Sequence, residues 1–367
     1  MAVTKKVSNA EAFVASRPGG ILANRPMVVG GAGFSYQLHP NPETLPIREL
    51  ISRAFQLGIT AIDTSPYYEP SEQLMGAAIN SPDMKQQWPR ESYILMTKVG
   101  RIAVDKFDYS PAWIRKSVMR SLDRFRTSYL NVVFCHDVEF VSQEEAVVAV
   151  GTLFDMVDEG KIEQVGISGY KIEVLIGVAR EVRQRFGRSI GIVQTWAQLT
   201  LSNTKLLTQG LAAFEELGVS TICASSPLAI GLLREGGVPT GTLGDWHPAP
   251  PALRERAADV AQWTRQRGHS LASLAVRYAV DTAIQNSTMD LSISIIVGVS
   301  TMSELESNAK SAHQVFERRS KLGLPSHAIA GTFVGGAEDE KVSAIEDKEL
   351  YMGVRKRFGD WINYDLC

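Results

Sequence analysis

The sequence predicts an α/β protein, a (β/α)8 TIM barrel with a long loop after strand seven and a C-terminal tail. Three observations carry the expectation. Eight short apolar, β-branched runs recur along the chain, and a longer segment with helical spacing follows each of them. Strict alternation of strand and helix means parallel strands joined by crossover helices. A doubly wound sheet uses the same grammar, but the glycine-rich turn after the first run, Gly30-Gly31-Ala32-Gly33-Phe34-Ser35-Tyr36, has tyrosine where a dinucleotide fingerprint needs its third glycine. His39, Pro40 and Pro42 then block an immediate helix, and no GxxxxGK(S/T) loop occurs anywhere.

The expected strands are 27–31, 59–63, 93–98, 129–134, 163–167, 191–196, 219–224 and 293–299. The expected helices lie near 45–57, 71–79, 111–124, 142–158, 171–184, 203–217, 251–280 and 302–315. Pro111, Ser142 and Ser303 stand at helix starts, where a fixed φ or a capping oxygen suits unsatisfied amides. Gly58, Gly160 and Gly218 stand just past helix ends, where a left-handed residue is needed. The chain reads as one domain over 1–367, with the barrel over about 27–315. Outside the repeat lie the Gly/Pro-rich loop 231–250, on the face that shapes substrate pockets, and the tail 318–367. That tail holds an acidic EDEK segment and the aromatics Phe358, Trp361 and Tyr364, which are expected to dock on the barrel.

Composition excludes several function classes. With 38 basic against 40 acidic side chains the net charge is −2, which gives no drive toward nucleic acid or anionic lipid. Cys135, Cys223 and Cys367 are too few and too scattered for a disulfide framework or a thiolate zinc site, so no metal is expected. Cys135 and Cys223 lie in apolar runs and read as buried thiols. There is no 18-residue apolar stretch, the start MAVTKKVSNAEAF lacks the apolar core of a signal peptide, and YDLC matches no sorting signal. A cytoplasmic protein, monomeric or weakly homo-oligomeric, is expected.

In such a barrel the chemistry sits at the C-terminal strand ends. Those positions hold Asp63 after strand two, Tyr68 five residues on, Lys98 at the end of strand three and His136 after strand four. Each alone is an ordinary residue for its place. Together they suit proton transfer at a carbonyl or carbinol oxygen. A lysine ammonium beside a phenol favours the phenolate, a carboxylate fixes the lysine, and a histidine orients the substrate oxygen. Proton transfer leaves the oxidation state unchanged, so a hydride carrier is required.

GITAIDTSPYYEPSEQLMG, the lysine of ILMTKVG and the histidine of VVFCHDVEF resemble the signature of the aldo-keto reductases, in order and over about 27–315. CHDVEF with SPLAIGLL and DWHPAPP is similar to the branch of L-galactose and D-arabinose 1-dehydrogenases. The resemblance implies Tyr68 as acid/base, Lys98 and Asp63 as its tuning pair and His136 as the substrate-orienting residue. It implies NAD, with NADP second, and oxidation of an aldose at its anomeric carbon to a lactone.

For the cofactor the resemblance implies Gly31, Ala32 and Asp63, with Ser168 and Gln194 at the nicotinamide amide. The family's asparagine after that serine is Gly169 here, and its stacking tyrosine is Ser225. Ser226, Leu228 and Ser300 are implied for the pyrophosphate. In VGVSTMSELESN, Gly298 and Glu304 stand where NADP-using members carry lysine and arginine, and Asn308 closes the motif. A carboxylate repels a 2′-phosphate and accepts from a ribose 2′-hydroxyl, so NAD is expected. The other reading of Glu304 is a charge in a first helical turn. Tyr67, Trp196, Trp246 and His247 are expected to line the substrate pocket. Two further functions stay open at this stage: an NADPH-dependent carbonyl reductase of a larger metabolite, and a nucleotide-binding redox-sensing subunit with little turnover.

Overall fold

The computed structural model describes residues 20–241, 244–323 and 344–366; MAVTKKVSNAEAF, the EDEK segment and Cys367 lie outside the described residues. The strands are β1 (Met27–Gly30), β2 (Ala61–Asp63), β3 (Ile94–Val99), β4 (Leu130–Cys135), β5 (Ile162–Gly169), β6 (Ile192–Trp196), β7 (Thr221–Ser225) and β8 (Ser292–Gly298). All pair in parallel with their sequence neighbours, and β1 pairs with β8, so the sheet closes into a barrel in the order β1 to β8. Each expected strand is present, with ends shifted by at most two residues.

Alternation along each strand divides the core in two. Val28, Ala61, Ile94, Met96, Val132, Phe134, Ile192, Cys223 and Ile296 meet inside the barrel, and Ile21 and Leu22 pack with them. Val29, Ile62, Leu95, Val133, Val165, Val193 and Ile222 belong instead to the cluster shared with the helices. The interior is filled so tightly that a Cβ on Gly166 would stand 2.4 Å from the Phe134 ring, which is why β5 has glycine there. Cys135 and Cys223 are both buried free thiols.

The helices are α1 (Ile47–Gln56), α2 (Ser71–Ile79), α3 (Pro82–Gln87), α4 (Pro111–Phe125), α5 (Gln143–Asp158), α6 (Ile172–Phe186), α7 (Leu211–Glu216), α8 (Pro251–Arg265), α9 (Leu271–Asn286), α10 (Met302–Lys321) and α11 (Ala344–Phe358). Ser142 makes a full capping box with Glu145, and Gly58, Gly160 and Gly218 take φ of 81°, 72° and 79° past their helices. Three expectations need correction. The cap of α10 is Thr301, whose hydroxyl accepts from the Glu304 amide, and Ser303 lies inside the first turn of the helix. The single helix expected over 251–280 is two, because Gly268 turns left-handed (φ 79°) and Ser270 caps a new helix. The segment near 203–217 becomes helical only at Leu206, as one π turn before α7.

The far end of the tail docks, as its aromatics suggested. Leu350, Tyr351, Val354, Phe358 and Leu366 of α11 and beyond pack with Leu253, Ala257, Val260 and Leu274 from α8 and α9. Asp347, fully buried, takes bonds from Arg277 of α9 and Arg318 of α10. Asn363 and Lys205 then tie the last residues to the loop after β6: the Asn363 amide donates to Ser202, and Lys205 pairs with Asp365 at 2.7 Å. Among the described residues no helix is long and apolar enough to cross a membrane.

Candidate active site

The inward positions at the C-terminal ends of β2 and β3 carry Asp63 and Lys98, both buried. The Lys98 ammonium donates to Asp63 Oδ1 at 2.8 Å, to Asp63 Oδ2 at 2.6 Å and to the Thr64 carbonyl at 2.9 Å. All three of its donors are thereby spent. Burial pushes the Asp63 carboxyl up, against the pull of Lys98.

Tyr68 sits in the turn between β2 and α2, its amide bonded to the Ser65 carbonyl at 3.0 Å and its carbonyl to the Ser71 amide at 2.7 Å. The helix beneath is fixed by buried Glu72, which accepts from Thr97, Ser121 and Arg124. The Tyr68 hydroxyl lies 3.5 Å from His136 Nε2, and the Lys98 ammonium lies 5.3 Å from the centre of the Tyr68 ring. The ammonium thus stands behind the ring and spends its hydrogen bonds elsewhere. This corrects the expectation of a phenol lowered by the lysine: burial, followed by Asp137 and Asp63, holds Tyr68 well above its ordinary value.

The tautomer of His136 follows from its neighbours. Asp137 Oδ2, a carboxylate oxygen that can only accept, lies 3.5 Å from Nε2, and Ser65 Oγ, 3.1 Å from Nδ1, can donate its hydroxyl hydrogen there. Nε2 then carries the ring hydrogen and faces the Tyr68 hydroxyl. Burial, with Lys98 and Arg101 nearby, keeps the ring's pKa well below the usual value, so it is neutral at physiological pH. A neutral N–H donor and a phenol therefore converge on one position.

Sequence reasoning passed over a second charged pair beside them. Asp137, immediately after His136, is buried and ion-paired with Arg101 from the loop after β3. The guanidinium lies 4.2 Å over Tyr67, and within 6 Å of Phe107 and Phe140. Phe140 meets Tyr170 edge-on at 5.9 Å, and Tyr170 meets Trp196 at 4.3 Å. Tyr67 and Trp196 thus belong to one aromatic wall whose middle members have no motif of their own. Of the other expected pocket residues, His247 is corrected. It is buried, its Nδ1 accepts from the Ala249 amide at 3.1 Å and its Nε2 meets the Ala229 carbonyl, so it anchors its own loop. Trp246 is 46% exposed and tilts against that ring.

At the ends of β5 and β6, Ser168 Oγ accepts from the Asp137 amide at 3.3 Å, and Gln194 Nε2 lies 3.4 Å from Ser225 Oγ. Among the described residues, the buried acceptors Gln194 Oε1 and Glu139 Oε2 have no hydrogen-bond partner. Glu139 also explains Gly169. A Cβ there would stand 2.4 Å from Glu139 Oε2, so the carboxylate occupies the space a side chain at 169 would fill. Burial pushes Glu139 up to about 7.

Gly31, Ala32 and Gly33 form a 3-10 turn after β1, and Gly298 ends β8 in open space, with no atom within 4 Å of where a Cβ would stand. Ser226 takes a left-handed φ of 60° after β7, and Leu228 and Asn308 are half-buried. One expectation here is corrected. The Ser300 amide donates to Glu304 Oε2 at 2.8 Å, so it is not open to a pyrophosphate. Glu304 caps its helix with that oxygen and ion-pairs Arg234 with the other at 2.8 Å, so the carboxylate also serves the first helical turn and the loop after β7. Arg234, in the loop after β7, had no signal in the sequence beyond its place in a long loop.

A closed parallel barrel with a buried ion pair, a phenol and a neutral histidine gathered at its C-terminal face defines an oxidoreductase-type barrel site. The aldo/keto reductase family profile matches residues 26–320. The chain belongs to the aldo/keto reductase family, whose members are oxidoreductases that work with a nicotinamide cofactor. It is 36% identical over 283 residues to D-arabinose 1-dehydrogenase of Saccharomyces cerevisiae, covering 77% of this chain and 81% of that one. It is 31% identical to L-galactose dehydrogenase of Arabidopsis thaliana, covering 76% and 81% respectively. An aldo-keto reductase from Bacillus halodurans, solved in its holo form, superposes with a TM-score of 0.59 at 18% identity, over 90% of this chain and 91% of that one.

Proposed function

We propose that this protein is a cytoplasmic, NAD-dependent aldose dehydrogenase that oxidises the anomeric carbon of a sugar to a lactone. The observation that carries the reading is the buried Asp63–Lys98 pair directly behind Tyr68 and His136, in a chain whose relatives include two named sugar dehydrogenases. Nicotinamide, when bound, supplies the hydride acceptor. Its carboxamide fits Ser168, Gln194 and Glu139, because two unpartnered buried acceptors call for N–H donors that a primary amide has.

In this reading His136 Nε2 donates to the C1 oxygen of the hemiacetal and holds it against Tyr68. Tyr68, as phenolate, removes the C1 hydroxyl proton while the C1 hydrogen leaves with its bonding pair as hydride to the bound acceptor, leaving the carbonyl of the lactone. The Lys98 ammonium, pinned by Asp63, stabilises the phenolate from which that transfer starts. The aromatic wall of Tyr67, Tyr170 and Trp196 packs the apolar face of the ring.

The preference for NAD rests on Glu304 and Arg234. Their ion pair neutralises the guanidinium that a 2′-phosphate would otherwise attract. Glu304→Gln is expected to release Arg234 and raise the NADP-to-NAD ratio of kcat/KM by roughly tenfold, the scale of one charge-assisted contact. An unchanged ratio would remove this pair from cofactor choice. The overall reading is tested by following reduced nicotinamide with NAD or NADP over L-galactose, D-arabinose and L-fucose. Rapid NAD reduction with one of them is expected. Reduction of aldehydes by NADPH, with no sugar oxidised, would replace it with the carbonyl-reductase reading.

A further inference from the structure

We propose that the Asp137–Arg101 pair is a substrate clamp that holds the hydroxyl on the carbon next to the reacting one, so that the chain selects vicinally hydroxylated substrates over simple alcohols and aldehydes. The assignment rests on the aldose reading above and adds what selects the sugar. Asp137 Oδ2 stands 3.5 Å from His136 Nε2, the same nitrogen that lies 3.5 Å from the Tyr68 hydroxyl. An oxygen held between Tyr68 and His136 is therefore beside this carboxylate, and the next carbon of the substrate carries its hydroxyl within reach.

The pair is rigidly set. Asp137 is in the left-handed region (φ 60°, ψ 60°), its amide is bonded to Ser168 Oγ, and its carboxylate is bonded to Arg101. Arg101 is in turn stacked on Tyr67 and bonded to the Ala103 and Val104 carbonyls. Its chemistry also works against the phenol: Asp137 raises the pKa of Tyr68 and so opposes the phenolate that oxidation needs. Arg101 compensates the buried charge, and a ligand that supplies a hydrogen-bond donor adds to what the carboxylate can hold. A sugar hydroxyl does so, giving its hydrogen to the carboxylate while its lone pairs accept from the guanidinium. A simple alcohol or aldehyde leaves the pair to water or to nothing.

The test compares D-arabinose with 2-deoxy-D-ribose, which is the same pentose without its C2 hydroxyl, under saturating cofactor. Removing that electron-withdrawing hydroxyl eases hydride departure from C1, so a lower rate reports lost contacts and not weaker chemistry. The wild-type protein is expected to prefer D-arabinose by roughly 10- to 100-fold in kcat/KM, the range for one hydrogen bond to a charged group. In Asp137→Asn that preference is expected to collapse toward one. Asparagine tolerates the left-handed backbone, keeps an oxygen for Arg101 and turns a donor toward the substrate.

A wild-type preference near one overturns the clamp, and this needs no variant to fold. So does a variant in which both rates fall with the preference intact, which is the result of Asp137 serving only to hold the Arg101 loop. Where L-galactose is the better substrate, 2-deoxy-L-galactose takes the place of the deoxypentose. Silence from every sugar with either cofactor overturns the aldose reading itself, and the clamp with it, and is distinguished by the absence of any rate to compare.

Discussion

Replacing Tyr68 by Phe is expected to lower kcat about 10²- to 10⁴-fold, the contribution of one positioned proton-transfer group, while the Kd for NAD changes less than about threefold. The phenol is the group that meets His136 at the convergence point, and the substitution removes only its oxygen. The wild-type pH profile carries the same assignment. Burial and the Asp137 and Asp63 carboxylates hold the Tyr68 pKa well above 10, and oxidation requires the phenolate. The fraction ionised grows tenfold per pH unit below that pKa, so the oxidative rate is expected to climb with pH and to show no plateau below about pH 8. Tyr68→Phe is expected to flatten the climb. Wild-type turnover surviving the substitution would remove Tyr68 from the proton transfer.

Lys98→Met is expected to damage both fold and rate. It leaves Asp63 as a buried carboxylate without its cation, a loss on the order of 3–5 kcal/mol. In a chain of this size that lowers Tm by roughly 4–7 °C. Thermal unfolding with and without Asp63→Asn separates the two effects. In the double variant both charges are gone, and most of the stability is expected to return, because a neutral pair of similar volume no longer carries a desolvated charge. The rate is expected to stay low, since no ammonium then stabilises the phenolate. Recovery of turnover together with stability would mean that the pair acts only as a structural bridge.

The barrel was readable because its grammar is repetitive: eight β-branched runs, helices between them, and glycines where a left-handed turn follows a helix. The group at the strand ends was readable for a related reason. Asp63, Lys98 and His136 sit on or just past strands whose inward positions are dictated by period two, and Tyr68 lies in the turn after one of them. What the sequence hid is what depends on loops meeting in space. Arg101 and Phe107 come from the loop after β3, Phe140 from the one after β4 and Tyr170 from the one after β5, and only their contacts make a wall of them. Gly169 looked like a lost amide contact until Glu139, thirty residues earlier, proved to fill its space. Glu304, expected to face a ribose, also has local partners that the sequence did not show. The capping box with Thr301 and the pair with Arg234 use both of its oxygens. His247 followed the same course, its ring nitrogens taken by neighbouring backbone.

The most direct measurement of the central claim uses an aldose carrying deuterium at C1, incubated with the purified protein and NAD. Oxidation at the anomeric carbon predicts that each reduced nicotinamide formed carries one deuterium, and that an equal amount of lactone is trapped as its hydroxamate. Reduced cofactor without deuterium, or sugar consumed with its C1 label intact, would contradict oxidation at that carbon.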